Sequence, residues 1–125
     1  QYMHSQNATY EQVLGAYRNA DAVTFISSFE GFGMPVIEAQ IMKRPVITSR
    51  NASLPEVAGL GAHFIENIRS IKEVSEAIVR VMEDNSYREN LVQKGLMNVI
   101  RFDRKVIAEA YVEVYRKAVT NQGII

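Results

Sequence analysis

The sequence predicts an α/β domain with a small parallel sheet flanked by helices. Three observations predict it. Short apolar, β-branched runs at residues 22–26, 45–48 and 62–65 read as buried parallel strands. Segments with helical spacing of apolar residues lie between and after them. Strands joined through helices must run parallel, with right-handed crossovers. Three or four strands make a small sheet, more like the second half of a doubly wound domain than a whole one. All 125 residues are expected to form one such partial domain, 1–125.

The elements follow in order. Tyr2 and Met3 read as the end of a strand. Thr9-x-x-Gln12 is a capping box, behind which Tyr10, Val13, Leu14 and Tyr17 share one helical face. The first apolar run, 22–26, feeds a loop from Ser27 to Gly33. Pro35 suits the first turn of the next helix, expected over 35–42, because its missing N–H is no loss there. Lys43 and Arg44 place positive charge at the C-terminus of that helix. Pro45 opens the second strand. Ser53-x-x-Glu56 reads as a capping box for a single turn, which Gly59 and Gly61 end. A short strand at 62–65 follows.

The remainder is helical. Ser70-x-x-Glu73 caps a helix with Ile71, Val74, Ile78, Val81 and Met82 on one face. Ser86-x-x-Glu89 caps a second, expected to end near Gly95. Asp103 caps a third, carrying an apolar stripe through Val106, Ile107, Ala110, Tyr111, Val114, Tyr115 and Ala118. The tail after Thr120 is expected to fray.

Composition excludes several functions. Fourteen basic side chains balance fourteen acidic ones, which argues against a nucleic-acid binder working by bulk charge. The chain has no cysteine, so disulfides, thiolate metal sites and cysteine nucleophiles are excluded. Two histidines, His4 and His63, are too few for a histidine-rich metal site. No apolar run approaches the ~18 residues of a membrane span, and no basic-then-apolar pattern of a signal peptide is read in the opening residues. A cytoplasmic location is expected, with peripheral association at a membrane left open.

The informative segment runs from Ser27 to Glu38. A strand ends, a loop with Gly31 and Gly33 follows, and a helix begins. That is the carboxyl edge of a parallel sheet, where ligands bind. The helix N-terminus can hold a phosphate or a sugar hydroxyl. Glu30 and Glu38 bracket the loop, eight positions apart. A carboxylate can accept from two adjacent hydroxyls, which suits a polyhydroxylated ligand. The plainer reading leaves Glu30 as a solvated loop acid, Glu38 as a dipole partner and the glycines as turn residues.

Glu30-Gly31-Phe32-Gly33-Met34-Pro35-Val36-Ile37-Glu38-Ala39 resembles the E-x7-E signature of retaining glycosyltransferases of the GT-B fold, in the large family 4 group. Tyr17-Arg18-Asn19-Ala20-Asp21 resembles the helix end that precedes it, and Ser27-Ser28-Phe29 its serine-containing strand end. Pro45-Val46-Ile47-Thr48 resembles the "G-x-P-V-I" strand, with Arg44 in the usual glycine neighbourhood. Leu54-Pro55-Glu56-Val57-Ala58-Gly59 resembles its "LPEV-x-G" turn. Phe102 resembles a phenylalanine of the C-terminal tail. The resemblance covers nearly the whole chain.

It implies a Rossmann-like half of a two-domain enzyme, transferring a hexose, with mannose favoured, from a UDP- or GDP-sugar to a glycan or similar acceptor. Glu30, the catalytic candidate, would contact hydroxyls of the donor sugar. Glu38 would hold the nucleotide ribose. Backbone N–H groups from Gly31 through Val36, spanning Phe32, Gly33, Met34 and Pro35, would face the sugar and diphosphate. Ser28 and Phe29 would line the nucleoside side. No metal and no cofactor is implied.

The same resemblance covers only the later part of the second domain. The acceptor domain, and the arginine and lysine that grip the diphosphate, are expected to be missing, so the chain alone is expected to be inactive. Neither His63, read as a packed or rim residue, nor His4 is expected to supply an active-site histidine. The exposed sheet edge is expected to be covered by self-association or by a swapped element, and the expected protein partner is the missing N-terminal domain or a second copy. The alternative is a non-catalytic module that binds a nucleotide sugar or a protein. A dinucleotide-binding domain is disfavoured, since Val36 stands where G-x-G-x-x-G needs its third glycine.

Overall fold

The computed structural model describes residues 4–120. Helix α1 spans Tyr10–Asn19, and strand β1 Val23–Phe25. Helix α2 covers Met34–Ile41, β2 Val46–Ser49, the short α3 Leu54–Ala58, and β3 Ala62–Ile65. Helices α4 (Ile71–Glu83) and α5 (Asn85–Val99) follow, then a 3-10 turn, Ile100–Phe102, and α6, Arg104–Thr120. The three strands form one parallel sheet in the order β1-β2-β3. The expected strand end at Tyr2 and Met3, and the tail after Thr120, lie outside the described residues.

The pairing register explains the two-layer core. Val23, Val46 and Ala62 are lateral neighbours across the sheet. Val46 and Ala62 join Val36, Ile37, Ala39, Leu54, Val57 and Ala58 in a core on one face, with Val23, Phe25 and Tyr17 packed against it. One residue along, Ile47 points to the other face, where it meets Ile65, Ala77, Val81 and Leu91. Alternation along a strand places consecutive residues on opposite faces. The central strand β2 is buried throughout, as the apolar run predicts.

Capping agrees with the sequence at several helix starts. Thr9 and Gln12 form the capping box of α1. Ser70 caps α4, and the Asp103 carboxylate accepts from Lys105 N at the start of α6.

Two expectations about α5 are overturned. Asp84, not Ser86, caps α5 by accepting from Tyr87 N, because the chain turns directly from α4 into α5. Helix α5 does not end near Gly95 but runs on to Val99. Gly95 is instead buried where the helix backbone meets Gly61.

Apolar patterning is used unevenly. On α4, Val74, Ala77 and Val81 face the core, while Ile71, Ile78 and Met82 stay exposed. The stripe of α6 faces outward, with Tyr111, Val114 and Tyr115 all exposed. Among the described residues, no helix is long and apolar enough to cross a membrane.

Buried polar groups tie α2, α3 and α5 together. Gln40 is only 1% exposed, although it lies in an otherwise apolar row. Its Nε2 donates to the carbonyls of Ala58 and Gly61, at 2.9 and 3.2 Å. Asn98 Nδ2 donates to Gln40 Oε1 and to Val57 O, both at 2.8 Å. Arg101 adds donations to the Glu56 carbonyl and to Asn98 Oδ1. These groups satisfy carbonyls at the end of α3, which would otherwise be left without partners.

Candidate functional site

The site grows from the ends of β1 and β2. Ser49 Oγ donates to the Ser27 carbonyl, and Ser27 N donates back to Ser49 Oγ at 3.2 Å. Asn51 Nδ2 also donates to Ser27 O, at 3.2 Å. Ser27 Oγ in turn bonds the backbone of Phe29. The chain therefore leaves the sheet along a fixed path, and the exposed Ser28 and Phe29 stand at the rim.

Ser53 holds the loop that follows. Its Oγ donates to the carbonyls of Glu30 and Phe32, at 3.1 and 3.0 Å. The expected capping box at Ser53 and Glu56 is therefore absent. Ser53 makes no side-chain cap to α3, because its hydroxyl is committed to the glycine loop. The signal that would have located this role was masked by a local pattern that fits equally well.

Gly33 turns the loop into α2. It is the N-cap of that helix and adopts a left-handed conformation, with φ 95° and ψ 48°. A Cβ there would lie 2.6 Å from Leu54 Cδ2, so a side chain fails on both backbone and space. A Cβ on Gly31 would meet nothing within 4 Å, and the residue is exposed.

The backbone amides narrow the expected donor set. Val36 N donates to Gly33 O at 3.0 Å, and its side chain is wholly buried. Pro35 has no N–H. The N–H groups of Gly31, Phe32, Gly33 and Met34 have no partner among the described residues. They lie at a helix N-terminus, where the peptide dipoles favour an anion. Val36 and Pro35 support the turn by packing and by φ restriction instead.

The two carboxylates differ in their surroundings. Glu30 is half-buried, and its carboxylate has no hydrogen bond or ion pair among the described residues. Glu38 lies one turn into α2, and its Oε2 accepts from the Tyr17 hydroxyl at 2.9 Å. Burial raises the Tyr17 phenol well above its usual range, and the hydrogen bond and charge of Glu38 raise it further. It therefore remains a donor at any ordinary pH.

A groove of about 900 Å³ opens beside Glu38. Phe32, Met34, Ile37 and Ile41 line it from the loop and α2, with Phe102 and Val106 opposite. Phe102 meets Phe32 edge-on, with centroids 5.7 Å apart and planes at 89°. Tyr17, Ser49, Asn51, Ser53 and Phe102 thus join the site from elements that the sequence segment does not include. The resemblance drew attention to Tyr17 and Phe102, but gave neither a contact.

Two positions lie apart from this loop. Arg50 pairs with Glu66 at 2.5 Å, and its guanidinium lies 4.4 Å over the Phe64 ring. His63 Nδ1 lies 2.8 Å from the Tyr87 hydroxyl, on the α4–α5 side. No group of three or more His, Asp or Glu is placed to hold a metal among the described residues.

The sequence model of the family described as "Glycosyl transferases group 1" matches residues 1–96. O-antigen chain mannosyltransferase B of Escherichia coli is 32% identical over 102 residues, covering 80% of this chain and 26% of that protein. A Campylobacter jejuni N,N'-diacetylbacillosaminyl-diphospho-undecaprenol alpha-1,3-N-acetylgalactosaminyltransferase is 27% identical, covering 83% and 28%. The crystal structure of Anabaena HepE in complex with UDP and glucose superposes with a TM-score of 0.69. It shares 22% identity and covers 84% of this chain and 28% of that one, a likeness of fold. The chain spans about a quarter of the length of the curated relatives it matches.

Proposed function

The chain belongs to the glycosyl transferases group 1 family, and from that premise we propose that it is the donor-binding part of a retaining GT-B hexosyltransferase. The donor is a UDP- or GDP-hexose, and the acceptor a glycan or similar hydroxyl compound. One observation carries the reading. The unpartnered amides of Gly31 through Met34 stand at the carboxyl edge of the sheet, between two carboxylates.

Each group then has a role. The amides and the α2 dipole hold the diphosphate or sugar oxygens. Glu30, with its carboxylate unengaged, orients the donor sugar. Glu38 accepts from the ribose hydroxyls. Ser28 and Phe29 line the nucleoside side. Retention requires departure of the nucleoside diphosphate and attack on the same face, and positioning with electrostatic stabilisation supplies most of that catalysis. Mannose is the favoured sugar, supported by the relative from Escherichia coli. The reaction takes place in the cytoplasm.

Half of such a site lies on a separate domain, so the isolated chain binds donor but transfers no sugar. Ligand-observed NMR with UDP, GDP and ADP, and then their sugars, tests the reading. Binding that weakens in Glu38→Ala supports it, and the preferred nucleotide names the donor class. No binding to wild type at millimolar ligand overturns donor binding. Sugar transfer by the purified chain overturns the claim of inactivity.

A further inference from the structure

We infer that Tyr17 is a positioning residue for the donor nucleotide, holding one oxygen of the Glu38 carboxylate so that the other is presented to the ribose hydroxyls. This rests on the reading of Glu38 as the ribose acceptor.

Three observations fix the geometry. The Tyr17 hydroxyl donates to Glu38 Oε2 at 2.9 Å. The Tyr17 ring packs against the core formed by α2, α3 and the sheet, so the hydroxyl is delivered from a seated side chain. The end of α1 is clamped in turn. Arg44 Nη1 donates to Ala20 O at 3.0 Å, and Nη2 to Arg18 O at 2.9 Å. Tyr17 lies one residue before that clamp.

The physical consequence concerns ordering. A glutamate side chain has three rotatable bonds, and an unrestrained carboxylate must be ordered when it accepts from a ligand. Holding Oε2 on a phenol leaves Oε1 in a set direction before ligand arrives. A phenol suits the task because it donates without adding charge. Raised well above its usual range by burial and by Glu38, it does not ionise against its partner.

Tyr17→Phe removes the hydroxyl and keeps the ring. The probes are UDP and GDP, each beside its 2′,3′-dideoxy form, titrated against wild type, Tyr17→Phe and Glu38→Ala. Wild type prefers the ribose form, and Glu38→Ala abolishes the preference. Tyr17→Phe reduces the preference several-fold while binding of the dideoxy form stays unchanged. A merely structural role for Tyr17 would weaken both forms together, and that outcome overturns the proposal. So does an unchanged preference in Tyr17→Phe when Glu38→Ala has lost it, and the ribose reading then stands alone. A preference that survives Glu38→Ala, or the absence of any preference in wild type, overturns the ribose reading and the role of Tyr17 with it.

Discussion

Gly61 and Gly95 meet backbone to backbone: a Cβ on Gly61 would lie 2.4 Å from the Cα of Gly95 and 2.6 Å from its nitrogen. The lead into β3 therefore lies directly against the middle of α5. Gln40 fills the remaining side, with its Nε2 2.7 Å from the same point. The contact ties the sheet to α5 at the place where Gln40 and Asn98 satisfy the end of α3.

Gly61→Ala is expected to destabilise the fold by about 3 kcal/mol or more, because its nearest neighbours are main-chain atoms that cannot yield. Gly95→Ala is expected to cost less. Its Cβ meets the Gln40 side chain, at 2.9 Å from Cγ, and alanine returns about 1 kcal/mol of helix propensity. Urea unfolding of the two variants checks the order. Equal midpoints would show that α5 shifts to accommodate either.

The loop glycines are expected to separate in the same way. Gly33→Ala forces φ 95° on a residue with a Cβ and drives it into the buried Leu54. The cost is expected to be about 2–3 kcal/mol, with donor binding weakened because the free amides shift. Gly31→Ala is expected to stay within about 0.5 kcal/mol of wild type, as at other open surface positions. Thermal unfolding of both variants decides it.

Lys43 follows the C-terminus of α2 with φ 58°, a left-handed conformation that costs a side chain about 1–2 kcal/mol. Lys43→Gly is expected to stabilise the chain by about 1 kcal/mol, since glycine is the residue that a helix end of this kind favours. A lowered unfolding midpoint would show that the lysine side chain makes a contribution larger than its backbone strain.

His63 gives a pH dependence of known sign. Burial, and next the nearby Arg80 charge, lower its pKa below the ordinary 6.5, with Glu73 opposing. The native state therefore binds the proton less readily than the unfolded chain. The stability associated with neutral His63 is present above the unfolded pKa and is lost as pH falls below it, toward the native value. His63→Gln is expected to lose less stability than wild type between about pH 7 and pH 5. Parallel pH profiles in the two proteins would show that His63 titrates as it does in the unfolded chain.

Much of the fold was legible because its signals are local. The three strand runs, the capping box at Thr9 and Gln12, and the caps at Ser70 and Asp103 each depend on residues within a turn or a strand. The same locality explains the misreadings. Ser53 and Ser86 each stand three residues before a glutamate, yet one hydroxyl bonds a loop 21 positions away and the other lies inside a helix. Gly95 looks like a helix end until Gly61 is placed against it.

An α/β chain with a glycine loop at a strand end and two carboxylates beside it can be read from local sequence alone. Spacing, strand length and backbone permission decide those features, and all are properties of neighbouring residues. What those groups touch is set by the packing of distant elements. Tyr17 reaches Glu38 across 21 positions, and Phe102 meets Phe32 from the turn that follows α5. Such contacts depend on how helices cross the sheet and on which side chains then fill the space between them. The crossing is a property of the whole packed core, and no short stretch of sequence encodes it.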